Sequence, residues 1–144
     1  MSNFKFRLQK VLDMKIRNEE ESKIEHAKAL KAKVDVQNEL DYLRLKYNQY
    51  SDMNDIEDVV KRKIIANYLN SLYGSIEETT KLLEEKQRIL NDKQQDLIQK
   101  QVERKSLEKL KEKDLIEFNK NLELKEQLQN DEYALQSYFR AKNE

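Results

Sequence analysis

The chain has 144 residues, with 28 basic and 28 acidic side chains, one Gly, no Pro and no Cys. Hydrophobic residues make up 38% against 39% charged, too little for a thick single core. A sheet protein of this length needs turn residues about every ten positions, and Gly74 is the whole supply of Gly and Pro, which nearly excludes sheets. Disordered chains share the high charge but lack the periodic apolar stripe seen here, so long helices are expected.

Without Cys there are no disulfides, thiolate nucleophiles or zinc clusters, and a reducing cytosol is the default compartment. The longest apolar runs, such as Ile64-Ile65-Ala66, fall far short of the ~20 residues that span a bilayer, so no direct membrane insertion is expected. The opening Met1 to Phe6 lacks the apolar stretch of a secretion signal, and no export leader is expected.

The first stripe contains Leu8, Leu12, Ile16, then Ile24, Ala27, Leu30, Val34, then Val36, Leu40, Leu43, Tyr47 and Tyr50, spaced mostly by threes and fours. This predicts helix one over about 4–50, with weak packing where Glu19, Glu20 and Glu21 interrupt the stripe. Ser51, Asp52, Asn54 and Asp55 are capping residues and predict a turn over about 51–55. Glu57 and Asp58 would then sit in the first turn of helix two, where the macrodipole favours acids.

Helix two is predicted over about 56–140. Its stripe runs from Ile56 through Val59, Val60, Ile64, Tyr68, Leu69, Leu72 and Tyr73 into Ile76, Leu83, Leu90 and Leu97. The last four recur at the seven-residue coiled-coil interval, so the two helices should pair along a seam. Pairs such as Glu19 with Lys23, Asp58 with Arg62 and Glu84 with Arg88 stabilise solvated helix by only about 0.2–0.5 kcal/mol each. The fold class is all-α: a two-helix antiparallel coiled-coil hairpin with the second helix longer, forming one domain over 1–144.

Reflection about the turn sets Ile24 and Ala27 against Leu83, Val34 against Tyr73 and Ile76, and Leu12 against Ile98. At ~1.5 Å per residue the helices measure ~70 and ~125 Å, so helix two should overshoot from about Arg104 onward. That overhang carries Leu107, Leu110, Leu115, Phe118, Leu122, Leu128, Leu135, Tyr138 and Phe139, and implies either an outside partner or self-association. Gly74 costs about 1 kcal/mol against Ala within a helix and is a candidate kink.

Little here can do chemistry. His26 is the only histidine, so neither a two-histidine metal site nor a nucleophilic triad with a second histidine is available; a surface position is expected. One glycine cannot build a phosphate loop. Asp and Glu are abundant, but a two-helix seam offers no enclosed pocket to raise a carboxyl pKa. No enzyme activity, cofactor or metal is expected.

The first seventeen residues carry Lys5, Arg7, Lys10, Lys15 and Arg17 against Asp13 alone, contrary to the helix macrodipole. Nucleic acid, an acidic membrane surface or an acidic protein face could each explain this. Nucleic acid is the weakest, because the whole chain is neutral and no aromatic stacking platform accompanies the basic residues; a protein partner fits best. Tyr42, Tyr47, Tyr50, Tyr68 and Tyr73 cluster about the turn, where they either fill its wider end or form a docking surface.

The stretch Phe4-x-Phe6-x-Leu8-Gln9-Lys10-Val11-Leu12, followed by Glu19-Glu20-Glu21, resembles the FliJ family of the bacterial flagellar type III export apparatus. So does Arg104-Lys105-x-Leu107-Glu108-Lys109-Leu110-Lys111-Glu112, leading into Phe118 and Glu126-Gln127-x-Gln129-Asn130-Asp131-Glu132. The resemblance covers nearly the whole chain. It implies a non-enzymatic, stalk-like coiled-coil adaptor, cytoplasmic and held at the membrane face through protein partners. Those partners would be the export ATPase FliI, the export-gate protein FlhA and export chaperones. By the same resemblance Phe4, Arg7, Leu8, Lys10, Leu12, Leu107, Leu110 and Phe118 would contact the ATPase. Leu43, Tyr47, Tyr50, Tyr68 and Leu72 would contact the gate, falling in comparable places near the turn rather than on matched motif positions. A homodimeric coiled-coil scaffold and a holdase-type chaperone are the alternatives.

Overall fold

A computed structural model describes residues 3–53 and 56–143, which form two helices, α1 (Gln9–Ser51, 43 residues) and α2 (Val59–Lys142, 84 residues). No strand occurs among the described residues. The helices pack antiparallel, with the second the longer, as expected: Tyr50 near the end of α1 meets Tyr68 near the start of α2, and Ser22 meets Asp96.

α1 begins at Gln9, later than the stripe implies. Phe4 and Phe6 explain the delay. Residues two apart point to widely different sides of a helix, whereas both rings are covered here, Phe6 buried and Phe4 half-buried, on a non-helical segment. At the other helix start, the Val60 amide donates to the Asp58 carboxylate at 3.0 Å, making Asp58 the N-cap of α2. The cap therefore falls later than the Ser51 to Asp55 cluster. Ser51 is still helical, its hydroxyl donating to the Asn48 carbonyl at 3.0 Å, while Asn54 and Asp55 lie outside the described residues. α2 continues through Gly74 as helix, with no positive φ.

The chain divides into two compact units. One comprises residues 19–100. Its α1 seam runs Glu19, Ser22, His26, Ala29, Lys33, Val36, Leu40, Leu43, Tyr47 and Tyr50, all buried or half-buried, in the three-four alternation of a heptad. The α2 seam runs Leu69, Leu72, Ile76, Thr79, Leu83, Lys86, Leu90, Lys93, Leu97 and Lys100 in the same alternation. Near the turn the seam is apolar and Leu40 is 1% exposed. Farther away it is largely polar, with Glu19 and Ser22 buried.

Two expectations fail here. Ile24, Ala27, Leu30 and Val34 are exposed, and His26 is half-buried on the seam rather than at the surface. The register also differs: Ser22 faces Asp96, so Ile24 lies about eleven residues, or three turns, from Leu83. The cause is at the turn. Tyr50 packs on Tyr68, so the first two turns of α2 run past the end of α1, leaving Val59, Val60 and Ile64 exposed. Simple reflection assumes that the two helix ends lie level.

The other unit comprises residues 1–18 and 101–144. Leu8, Leu12 and Lys15 pack with Arg104, Leu107, Lys111, Asp114 and Phe118, each buried or half-buried. Lys15 pairs with Glu103 at 3.2 Å, and Lys111 donates to Gln9 at 2.7 Å. The overhang accordingly starts beyond Phe118 rather than at Arg104: every described residue from Asn119 to Asn143 is exposed.

Candidate functional site

In the unit formed by the chain termini, Phe4 rests on Phe118 with ring centroids 5.5 Å apart. The non-helical segment that carries Phe4 and Phe6 meets Lys111 of α2 to form an open, largely apolar notch rimmed by Lys5, Arg7, Lys10 and Lys111. Phe6 is buried and Phe4 half-buried while Lys5 and Arg7 are exposed, and Arg7 lies in a turn closed by the Gln9 amide donating to the Phe6 carbonyl at 3.1 Å. Among the described residues no carboxylate lines this notch, and Lys111 donates to the neutral Gln9; Phe4 and Lys5 also border a neighbouring groove that holds Asp114 and Glu117.

The residues expected to touch an ATPase divide accordingly. Arg7, Lys10 and Leu110 are exposed. Phe4, Leu8, Leu107 and Phe118 are half-buried in the packing, and Leu12 is 3% exposed, so Leu12 holds the segment in place rather than offering a surface. On the exposed stretch beyond Phe118, Leu128, Leu135 and Phe139 share a shallow groove with Asp131 and Glu132, and Tyr138 packs edge-on against Phe139.

Around the turn, Tyr50 and Tyr68 meet edge to face with centroids 4.9 Å apart. Leu43, Tyr47 and Tyr50 are half-buried, Leu72 is buried, and Tyr68 is exposed on one side. Of the five expected gate contacts, then, Tyr68 presents the most surface and Leu72 supports the seam. Val59, Val60, Ile64 and Met53 add exposed apolar surface that the stripe placed in the seam or left unassigned. Their signal was the long polar connection before Val59, which lets α2 begin beyond the end of α1. Nearby, the Tyr73 hydroxyl is held protonated above its ordinary range by a hydrogen bond to the Glu77 carboxylate and by that group's charge.

No group of three or more metal-ligating side chains occurs among the described residues, and no described helix is long and apolar enough to cross a membrane. Arg88, exposed on α2, bridges Glu85 at 2.6 Å and Asp92 at 3.1 Å, which holds the Glu85 carboxyl below its ordinary range. The pairing follows i,i+3 and i,i+4 spacing and supports the helix.

A family model described as Flagellar FliJ protein matches residues 4–143. No curated protein and no solved structure matches the chain.

Proposed function

The chain belongs to the FliJ family of flagellar export-apparatus components, and from this we infer that it is a non-enzymatic adaptor between the export ATPase FliI and the export gate FlhA. The terminal unit takes the ATPase and the turn region takes the gate. Stimulation of ATP hydrolysis then arises from differential binding to one state of the ATPase ring, with no group of this chain acting on nucleotide. In this reading the protein works at the cytoplasmic face of the membrane through its partners and escorts export chaperones.

The observation that carries the reading is the notch at Phe4 and Phe6, with Lys5, Arg7, Lys10 and Lys111 on its rim and no acid among its described lining residues. Such a rim favours an acidic protein face that also offers an apolar side chain to the notch. Arg7 and Lys10 are exposed, so Arg7→Glu with Lys10→Glu alters the rim without disturbing Leu12 or Phe6. The double variant should keep its helicity and lose stimulation of ATP hydrolysis by FliI. Full stimulation by a folded double variant would reject this surface as the ATPase contact.

The turn region is tested separately. Tyr68→Ala removes an exposed ring and half of the Tyr50–Tyr68 contact, and FlhA affinity should fall while ATPase stimulation is kept. Unchanged affinity would dismiss the turn as the gate contact.

A further inference from the structure

The face of α2 that packs on α1 continues beyond its cover. In the terminal unit Arg104, Leu107, Lys111, Asp114 and Phe118, each half-buried, follow the three-four alternation of a heptad. The same count runs on through Asn121 and Lys125 to Leu128, Glu132, Leu135 and Phe139. These last four line one shallow groove with Asp131 and Gln136, and all six are exposed. Leu128, Leu135 and Phe139 are 68%, 55% and 54% exposed. The groove extends about 16 Å along α2, three helical turns. It prolongs an existing helix–helix interface on the same helix.

Its centre is acidic. Asp131 and Glu132 stand between Leu128 and Leu135, and neither makes an ion pair among the described residues. One turn to either side lie Gln127, Leu128, Gln129, Ala134, Leu135 and Gln136, so no cation of α2 reaches the two carboxylates at i,i+3 or i,i+4 spacing. Lys125 and Arg140, the nearest cations in sequence, stand beyond that reach and bound a stretch in which Glu126, Asp131 and Glu132 are the charged residues.

We propose that this groove docks a basic amphipathic helix of a partner protein. Its apolar stripe lies on Leu128, Leu135 and Phe139, and its lysines or arginines face Asp131 and Glu132. A second copy of this chain is disfavoured. Set antiparallel on the groove, with each copy's Leu128 on the other's Leu135, it would bring Asp131 opposite Glu132 twice over, which like-charge repulsion opposes. The same carboxylates oppose an anionic lipid surface. The site lies on the unit assigned above to the ATPase but apart from its notch, whose cations would repel such a helix, and it stands or falls independently of that assignment.

The test uses the full chain and a fluorescent synthetic helix with Leu at i, i+3 and i+7 flanked by Lys, followed by anisotropy. Leu128→Ala, Leu135→Ala and Phe139→Ala together should weaken binding about tenfold or more with helicity and melting temperature kept, because all three are exposed. Asp131→Lys with Glu132→Lys should weaken it similarly and shift preference to a Glu-flanked version of the helix. This second variant leaves the apolar residues untouched and decides the matter if the triple variant loses helix.

Absence of binding, equal affinity of the unaltered chain for Lys- and Glu-flanked helices, or binding unaffected by the Asp131/Glu132 reversal would overturn the proposal. So would a dimer in sedimentation that the triple substitution abolishes, since a second copy would then be the occupant. No ATPase enters these measurements, so their outcome is separate from that of the Arg7/Lys10 variant.

Discussion

The Ser22 hydroxyl donates a 2.5 Å hydrogen bond to the Asp96 carboxylate across 74 residues of sequence, pinning one register of α1 on α2. Tyr50 on Tyr68 and Lys15 on Glu103 obey the same offset, each within its own unit. Spin labels at positions 22 and 96 should therefore report near-contact. Labels at 24 and 83 should report an axial separation of about 16 Å, the length of eleven helical residues. Near-contact for the second pair would mean that the seam has slipped.

The polar half of the seam sacrifices stability. Glu19 and Ser22 occupy heptad seam positions that favour aliphatic side chains. Replacing both with Leu should raise stability by about 1–4 kcal/mol, as when buried polar groups give way to well-packed apolar ones. The same double variant should broaden the label distances between 22-adjacent positions and α2, because polar seam residues choose among registers. A lower denaturation midpoint would contradict this account.

Gly74 lies within continuous helix, and a methyl group added there meets nothing within 4 Å. Gly74→Ala should stabilise the protein by about 1 kcal/mol through helix propensity and reduced freedom of the unfolded chain. Chemical denaturation checks the value. A loss of stability would imply strain in α2 at this position.

Leu40 and Leu128 separate seam from free surface. Leu40 is 1% exposed and Leu128 is 68% exposed. Leu40→Ala should cost about 2–5 kcal/mol, and Leu128→Ala should stay within about 0.5 kcal/mol for the isolated chain. Comparable losses in the two variants would show that the stretch beyond Phe118 is covered in solution.

Tyr73 donates to the Glu77 carboxylate one turn away, which favours the neutral phenol. Its folded pKa is raised, so the contribution to stability is complete below the ordinary tyrosine range and disappears as pH climbs through the raised value. In a spectrophotometric titration Glu77→Gln should bring the Tyr73 transition down toward its ordinary position. An unmoved transition would remove Glu77 as the cause.

What could be read from the residues alone was whatever a short window controls. The scarcity of Gly and Pro and the seven-residue recurrence of Ile76, Leu83, Leu90 and Leu97 dictate helices that pair along a seam. The seam near the turn, from Val36 to Tyr50, was legible because its apolar side chains sit where the heptad needs them. The basic rim of Lys5, Arg7 and Lys10 was legible as a charge excess, but the notch was not, since Lys111 comes from 102 residues away in its bond to Gln9.

Register, by contrast, belonged to the tertiary structure. A weakly patterned heptad tolerates several alignments of nearly equal apolar contact, so the choice falls to the path of the turn and to a few distant bonds such as Ser22 to Asp96. The same choice turns Glu19, Ser22 and His26 inward and leaves Ile24, Leu30 and Val34 outside. Hydrophobicity along one helix identifies candidate faces. Which of them is covered depends on where the other helix lies, and that is settled by contacts between residues far apart in the chain.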